Sequence, residues 1–280
     1  MIELGRYNRM QVIKHTTFGV YLSKDGDEAE ILLPIKYVPI DTAVDDFLTV
    51  FIYNDSEGRI IATTLEAKAE IGEFAMLTVV STTEIGAFLD LGIAKDVFVP
   101  IREQAGTMRL GGEYIVYLYI DEKSNRIVAS SKWNKFLKQE ELDLVEGEEV
   151  DLFITAYTDL GYNAIVNNKY IGLIYHNDIF EPIGIGERRR GFVKKIREEN
   201  KLDLSLRKVG YDHILDSKSL IMKILKENNG VLALGDKSTP EEIEEITHLS
   251  KKAFKKTIGG MYKDGLITIL DTEIKLLKND

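Results

Sequence analysis

Residues 76–91, MLTVVSTTEIGAFLDL, decide the fold. Apolar and β-branched residues alternate with polar ones on both sides of Gly86, the pattern of two half-buried strands joined at a tight turn. Gly86 carries no Cβ, so the chain can reverse closely there. Alternation predicts Ala87, Leu89 and Leu91 on an inward face and Phe88 and Asp90 on the outward one. DVFVPI (96–101) follows as a third strand, and EYIVYLYIDEKSNRIVAS (113–130) as a hairpin that turns near Ser124 and Asn125. Five such short strands cannot bury a core as a flat sheet. Closure into a small barrel of the OB type solves the problem.

The same stretch recurs twice. Gly72, Gly86 and Arg126 stand 14 and then 40 residues apart, and so do Gly5, Gly19 and Arg59, and Gly147, Gly161 and Lys201. Successive copies are offset by 67 and 75 residues, too long for a solenoid repeat and right for a small domain. Copy one ends in DFLTVFIYNDSEGRIIAT (46–63) and copy three in RGFVKKIREENKLDLSL (190–206), both hairpin-like. The expected organisation is therefore three tandem barrels over 1–66, 67–131 and 147–210, with a connector at 132–146 and a different domain over 216–280. The connector holds the single tryptophan, Trp133, expected to pack with Phe136 on a barrel.

Composition sets the class. Of the 280 residues, 44% are hydrophobic and 29% charged, which describes a globular chain rather than a disordered one. No apolar run approaches the roughly 18 residues that a membrane helix needs, and MIELGRYNRM does not read as a secretory leader. Zero cysteines exclude disulfides and thiolate metal sites and fit a reducing cytoplasm. The net charge is −10, but residues 1–187 hold 16 Lys/Arg against 31 Asp/Glu, while residues 188–280 hold 20 against 15. An acidic front joined to a basic back favours a local polyanion-binding patch.

The outward positions carry the candidate chemistry. In copy one Val20 and Leu22 point inward and Tyr21 outward, as Phe88 does in copy two. An outward ring on such a strand is what stacking on an unpaired base requires, worth roughly 1–3 kcal/mol per base. The competing reading is a ring packed under a loop or against a neighbouring barrel. Copy three has Asn163 at this place and offers Tyr162 and Tyr175 instead.

FGVYL (18–22), IGAFLDL (85–91) and LGYNAIV (160–166) resemble the strand-turn-strand signature of the S1 RNA-binding domain, an OB-fold variant. The resemblance implies nucleotide contacts at Phe18, Tyr21, Phe88 and Tyr175, the last within GLIYHND (172–178). It also implies phosphate-facing roles for Arg59, Arg126 and Lys201, which follow the hairpin turns. The histidine customary in that family is replaced by Pro34 and Pro100 in the first two copies.

Beyond about Asp216 the hydrophobic period changes from 2 to 3.6. Leu220, Ile221, Ile224 and Leu225 line a first helix that stops near Asn228-Asn229-Gly230. Thr239-Pro240-Glu241-Glu242 starts a second, and Ser250 caps a third that ends at Gly265. LITILDTEIKLL (266–277) closes as a hairpin turning near Asp271-Thr272. Three helices and a two-stranded wing resemble a winged-helix domain. Its third helix buries Phe254, Ile258 and Met261 and presents Lys251, Lys252, Lys255, Lys256 and Lys263. Gly259-Gly260 costs that helix about 1 kcal/mol per glycine, which suggests close packing there. A second basic cluster, Arg188, Arg189, Arg190, Lys194, Lys195 and Arg197, falls on the fourth strand of copy three. The two are expected to form one joined surface for phosphates.

Three S1-like barrels followed by a winged helix, with GDKSTPEEI (235–243) and FKKTIGGMYKDGLI (254–267), resemble the conserved virulence factor B family over essentially the whole chain. The resemblance implies an RNA-binding regulator acting after transcription, with single-stranded RNA as partner. Duplex-DNA binding by the winged helix, or an adaptor role on the ribosome or RNA-decay machinery, stand as the alternatives. No catalytic residues, cofactor or metal are expected. His15, His176, His213 and His248 lack ligand spacing, and neither HExxH, GxxxxGK[ST] nor GxGxxG occurs.

Overall fold

The computed structural model describes residues 1–24, 29–179, 182–207, 212–247 and 249–277, with the side chains of 177 and 212–216 left aside. His248 and the side chain of His213 lie outside this set, as do residues 208–210 at the end of the third expected barrel. Two compact units are present, one comprising Met1–Asp143, Val150–Arg190 and Arg197–Leu202, the other Leu144–Glu149, Gly191–Ile196 and Asp203–Asp280.

Three closed five-stranded barrels account for residues up to Ser205. The first contains β1 (Tyr7–Thr16), β2 (Gly19–Ser23), β3 (Ile31–Pro34), β4 (Phe47–Asn54) and β5 (Ile60–Thr63), in the order β1-β2-β3-β5-β4. Antiparallel β1–β4 pairing closes the ring, and β3 meets β5 in parallel. The second repeats this with β6 (Phe74–Thr83), β7 (Gly86–Leu89), β8 (Val97–Pro100), β9 (Glu113–Asp121) and β10 (Arg126–Ser130). The third uses β11 (Glu149–Thr158), β12 (Gly161–Val166), β13 (Tyr170–Tyr175), β14 (Arg188–Ile196) and β15 (Leu202–Ser205).

The glycine skeleton has two mechanical causes. At Gly19, Gly86 and Gly161 a Cβ would collide with the carbonyl oxygens of Leu33, Val99 and Ile174, because the third strand crosses directly against the turn. Gly5, Gly72 and Gly147 sit at φ +73°, +88° and +87°, and their N–H groups donate to the carbonyls of Ile52, Leu118 and Val193. That left-handed turn tucks each first strand against its fourth. Each first strand is also bulged at the same place, between Val12 and Lys14, Val79 and Ser81, and Ile154 and Ala156. The bulge bends the strand so that it can pair on both sides of a small barrel.

Inside the first two barrels the expected alternation holds: Val20, Leu22, Ala87, Leu89 and Leu91 are all at most 2% exposed. The first two barrels share apolar packing. Phe51 and Tyr53 of β4 belong to the same buried cluster as Leu77, Leu89, Val99 and Leu118 of the second barrel. The Ile71 N–H donates to the Gly5 carbonyl at 2.9 Å, and Ala67 N–H to the Tyr7 hydroxyl at 2.8 Å. The connector opens with a 3-10 turn, Trp133–Phe136, in which Phe136 stacks on Tyr117 at 4.1 Å and Trp133 meets Phe74 edge-on at 6.0 Å. Both aromatic residues therefore pack on the second barrel, as the sequence suggested.

The carboxy-terminal region contains α1 (Asp212–Glu227), β16 (Val231–Leu232), α2 (Pro240–Thr247), α3 (Lys251–Lys263), β17 (Ile267–Ile269) and β18 (Ile274–Leu276). A three-stranded sheet of order β16-β18-β17 forms the wing. Ile221, Leu225, Ile243, Phe254, Ile258 and Met261 converge in its core. Thr239 and Glu242 cap α2 reciprocally, each side chain accepting from the other's N–H at 3.3 and 2.7 Å. Ser250 accepts from the Ala253 N–H at the start of α3. One expectation needs correction. Gly259 and Gly260 are not packing glycines, since a Cβ at either would meet nothing within 4 Å.

Candidate nucleic-acid interface

Period-2 alternation puts two rings side by side on the outside of the second barrel. Phe88 of β7 and Phe98 of β8 are register partners, with ring centres 5.0 Å apart at 40°. Their sequence neighbours Ala87, Leu89, Val97 and Val99 fill the core, so the rings have no place inside. They line a cleft of about 340 Å³ together with Ile85, Lys95, Arg126 and, from the first barrel, Tyr53 and Asn54. Arg126, exposed at the start of β10, makes no ion pair with a carboxylate among the described residues. Lys95 Nζ donates to the Asp55 carbonyl at 2.5 Å. Burial, and then the Arg126 charge, lower the Lys95 pKa, while Asp55 works against them. Two stacked-ready rings flanked by two cations can accept an unpaired base and its phosphate.

A second feature repeats in all three barrels. Thr16, Thr83 and Thr158 donate from Oγ1 to the carbonyls of Gly19, Gly86 and Gly161, at 2.9, 3.0 and 2.9 Å. Each hydroxyl also accepts from the N–H of the residue before the glycine. That residue, Phe18, Ile85 or Leu160, is held outward at 76%, 69% and 60% exposure. Phe18 thus stands where the resemblance places a nucleotide contact. Tyr21 lies on the outer face with Lys14 Nζ 4.6 Å from its ring centre. Its register partner on β3 is Leu32, where the second barrel has Phe98, so the first barrel lacks the ring pair.

The third barrel gathers its aromatics elsewhere. Asn163 and its partner Leu173 occupy the places of Phe88 and Phe98. Tyr157 contacts Tyr162 at 5.1 Å and His176 at 5.4 Å, and Tyr157 is 60% exposed. Tyr175 carries the Arg197 guanidinium 5.5 Å from its ring centre.

Most of the cations singled out from sequence have intramolecular partners. Arg59 pairs with Asp55 and Glu57 at 2.6 and 3.0 Å, and holds the Asp55 carboxyl below the usual range against the opposing effect of burial. Lys201 pairs with Glu199 at 2.7 Å, Arg189 with Glu187 at 2.7 Å and Arg190 with Asp151 at 3.1 Å. Arg188 donates to the Phe74 carbonyl and covers the Phe153 ring. Lys194 and Lys195 are exposed on β14. On α3, Lys252 and Lys256 are exposed at i and i+4, Lys255 reaches Asp236 at 2.9 Å, and Lys251 is half-buried. Exposed pairs of this kind are worth about 0–1 kcal/mol, so a phosphate can compete for the cation.

Sequence reasoning passed over Phe98, Lys95, Tyr53, Asn54 and Tyr157. Phe98 was accessible, being the outward residue of VFVP. Tyr53 and Asn54 were not, because they enter the cleft from a different barrel.

Comparison with known proteins agrees with this architecture. Residues 4–65 and 71–132 match the S1 domain, and residues 219–276 match the CvfB-like winged helix domain. Tandem S1 barrels followed by a winged helix define the class. The chain belongs to the conserved virulence factor B family. It is 27% identical over 262 residues to conserved virulence factor B of Staphylococcus saprophyticus, covering 91% of this chain and 84% of that one. It is 26% identical over 276 residues to the uncharacterized protein YitL of Bacillus subtilis, covering 94% and 90%. A crystallised multidomain protein with nucleic acid binding domains from Streptococcus pneumoniae is 22% identical, with 98% of each chain covered and a TM-score of 0.40. Among the described residues no helix is long and apolar enough to cross a membrane.

Proposed function

We propose that this protein binds single-stranded RNA and regulates gene expression after transcription, acting in the cytoplasm by binding and without a catalytic step. The S1 domains support a nucleic-acid-binding role. The observation that carries the reading is the outward Phe88–Phe98 pair beside Arg126, in a cleft of about 340 Å³, the scale of a single unpaired base. A base stacks on the rings, and the cation holds its phosphate. Lys252 and Lys256 of α3, with Lys194 and Lys195 of β14, add sequence-independent phosphate contacts. Helix α3 presents lysines rather than the Arg or Asn side chains that read base edges, which weighs against sequence-specific duplex DNA. Fluorescence anisotropy with labelled single-stranded RNA and Phe88→Ala tests the proposal. Unchanged affinity in the variant would refute it.

A further inference from the structure

The cleft beside Phe88 has a wall that the second barrel does not supply. Tyr53 and Asn54 end β4 of the first barrel, and both line it. Asn54 is 8% exposed, and its Oδ1 is sealed from solvent with no hydrogen-bond partner among the described residues. A buried carboxamide left in this state costs stability that an apolar residue would not. The neighbouring positions Ile52 and Tyr53 are apolar or aromatic and also buried, at 0% and 3% exposure, so a leucine would fit the site's chemistry better. Asn54 borders the cleft, and a rotation of its carboxamide would bring an adjacent acceptor and donor to face it, the complement of a nucleobase edge.

We infer that the first and second barrels together form a pocket for one nucleobase, stacked on Phe88 and Phe98 and read by Asn54, with Arg126 and Lys95 on the phosphate side. This rests on the single-strand reading above and extends it to base selection. The volume of about 340 Å³ suits one nucleotide and falls within the range of small-molecule sites, roughly 300–1,000 Å³. The two barrels are held together by the shared core around Phe51, Tyr53 and Leu89 and by the Lys95–Asp55 hydrogen bond. The pocket is consequently pre-formed, and neither barrel alone would contain it. The ligand chemistry is a base with a neighbouring phosphate, either within an RNA strand or as a free mononucleotide.

The test compares wild type with Asn54→Leu and Arg126→Gln, using poly(A), poly(U) and poly(C) oligoribonucleotides and, separately, AMP, UMP and CMP. Wild type should rank the homopolymers with a spread of at least about fivefold. Asn54→Leu should collapse that spread while still binding, and its Tm should equal or exceed that of wild type. Arg126→Gln should weaken all three about equally and keep the ranking. Retention of the wild-type ranking by Asn54→Leu overturns the pocket but leaves RNA binding standing. If no RNA binds yet a mononucleotide binds in an Asn54-dependent way, the pocket stands and the polymer reading falls. Binding of neither overturns both.

Discussion

Arg188 donates from Nη2 to the carbonyl oxygen of Phe74 at 2.6 Å, tying the fourth strand of the third barrel to the first strand of the second. Its guanidinium also lies 5.2 Å from the Phe153 ring centre, over the cluster of Phe74, Phe153 and Ile165. The residue looked like a phosphate contact in the sequence, and its head group is already engaged. Arg188→Ala should lower stability by about 1–2 kcal/mol, the value of a charge-assisted hydrogen bond discounted for partial exposure. RNA affinity should fall less than for Arg126→Ala. Urea unfolding and anisotropy on the same two variants check both halves.

The repeated turn glycines separate two kinds of glycine by stability. Gly161→Ala forces a Cβ into the Ile174 carbonyl at φ +148°, so the third barrel should fail to close or lose several kcal/mol. Gly259→Ala and Gly260→Ala add a Cβ in open space within α3 and should each stabilise the helix by about 1 kcal/mol. Thermal melts would show opposite shifts. A fall in Tm for the α3 substitutions would mean that those glycines serve a packing role after all.

Alkaline stability should depend on Tyr53. Burial, then Tyr37 and Asp55, push its phenol up to about 12. Folding therefore favours the neutral form, and its contribution is complete below the unfolded value of about 10. It is lost as pH rises from there through about 12. Tm followed across this range by circular dichroism should fall, and Tyr53→Phe should flatten the fall in part. Tyr117, Tyr119 and Tyr170 are also raised by burial and should add to the fall.

How legible the molecule was depends on whether a feature is local. Three barrels could be read from Gly5, Gly72 and Gly147 and from Gly19, Gly86 and Gly161, because each glycine answers a backbone demand inside one barrel. The outward placement of Tyr21 and Phe88 followed from alternation alone. The helix caps at Thr239 and Ser250 followed from side-chain chemistry within one turn. The cleft did not follow, since Asn54 comes to line it beside Phe88 only through the packing of two barrels whose docking no periodicity encodes. Cation roles were also opaque. Arg59 and Arg126 hold the same place in the repeat, but Asp55 and Glu57 engage only the first.

Phosphate binding by α3 has its own signature. Lys252 and Lys256 are exposed and make no ion pair among the described residues. Lys252→Ala with Lys256→Ala should reduce the slope of log affinity against log salt by about one to two units and weaken all RNA sequences alike. An unaltered slope would remove α3 from the interface.

The most direct measurement is the affinity of wild type and Phe88→Ala for labelled single-stranded RNA and for duplex DNA, titrated between about 50 and 200 mM salt. Wild type should prefer RNA with a steep salt dependence, and loss of the ring should weaken it at least about fivefold at every salt concentration. Equal affinity of the two proteins for RNA, or a preference of wild type for the duplex, would contradict stacking on the second barrel.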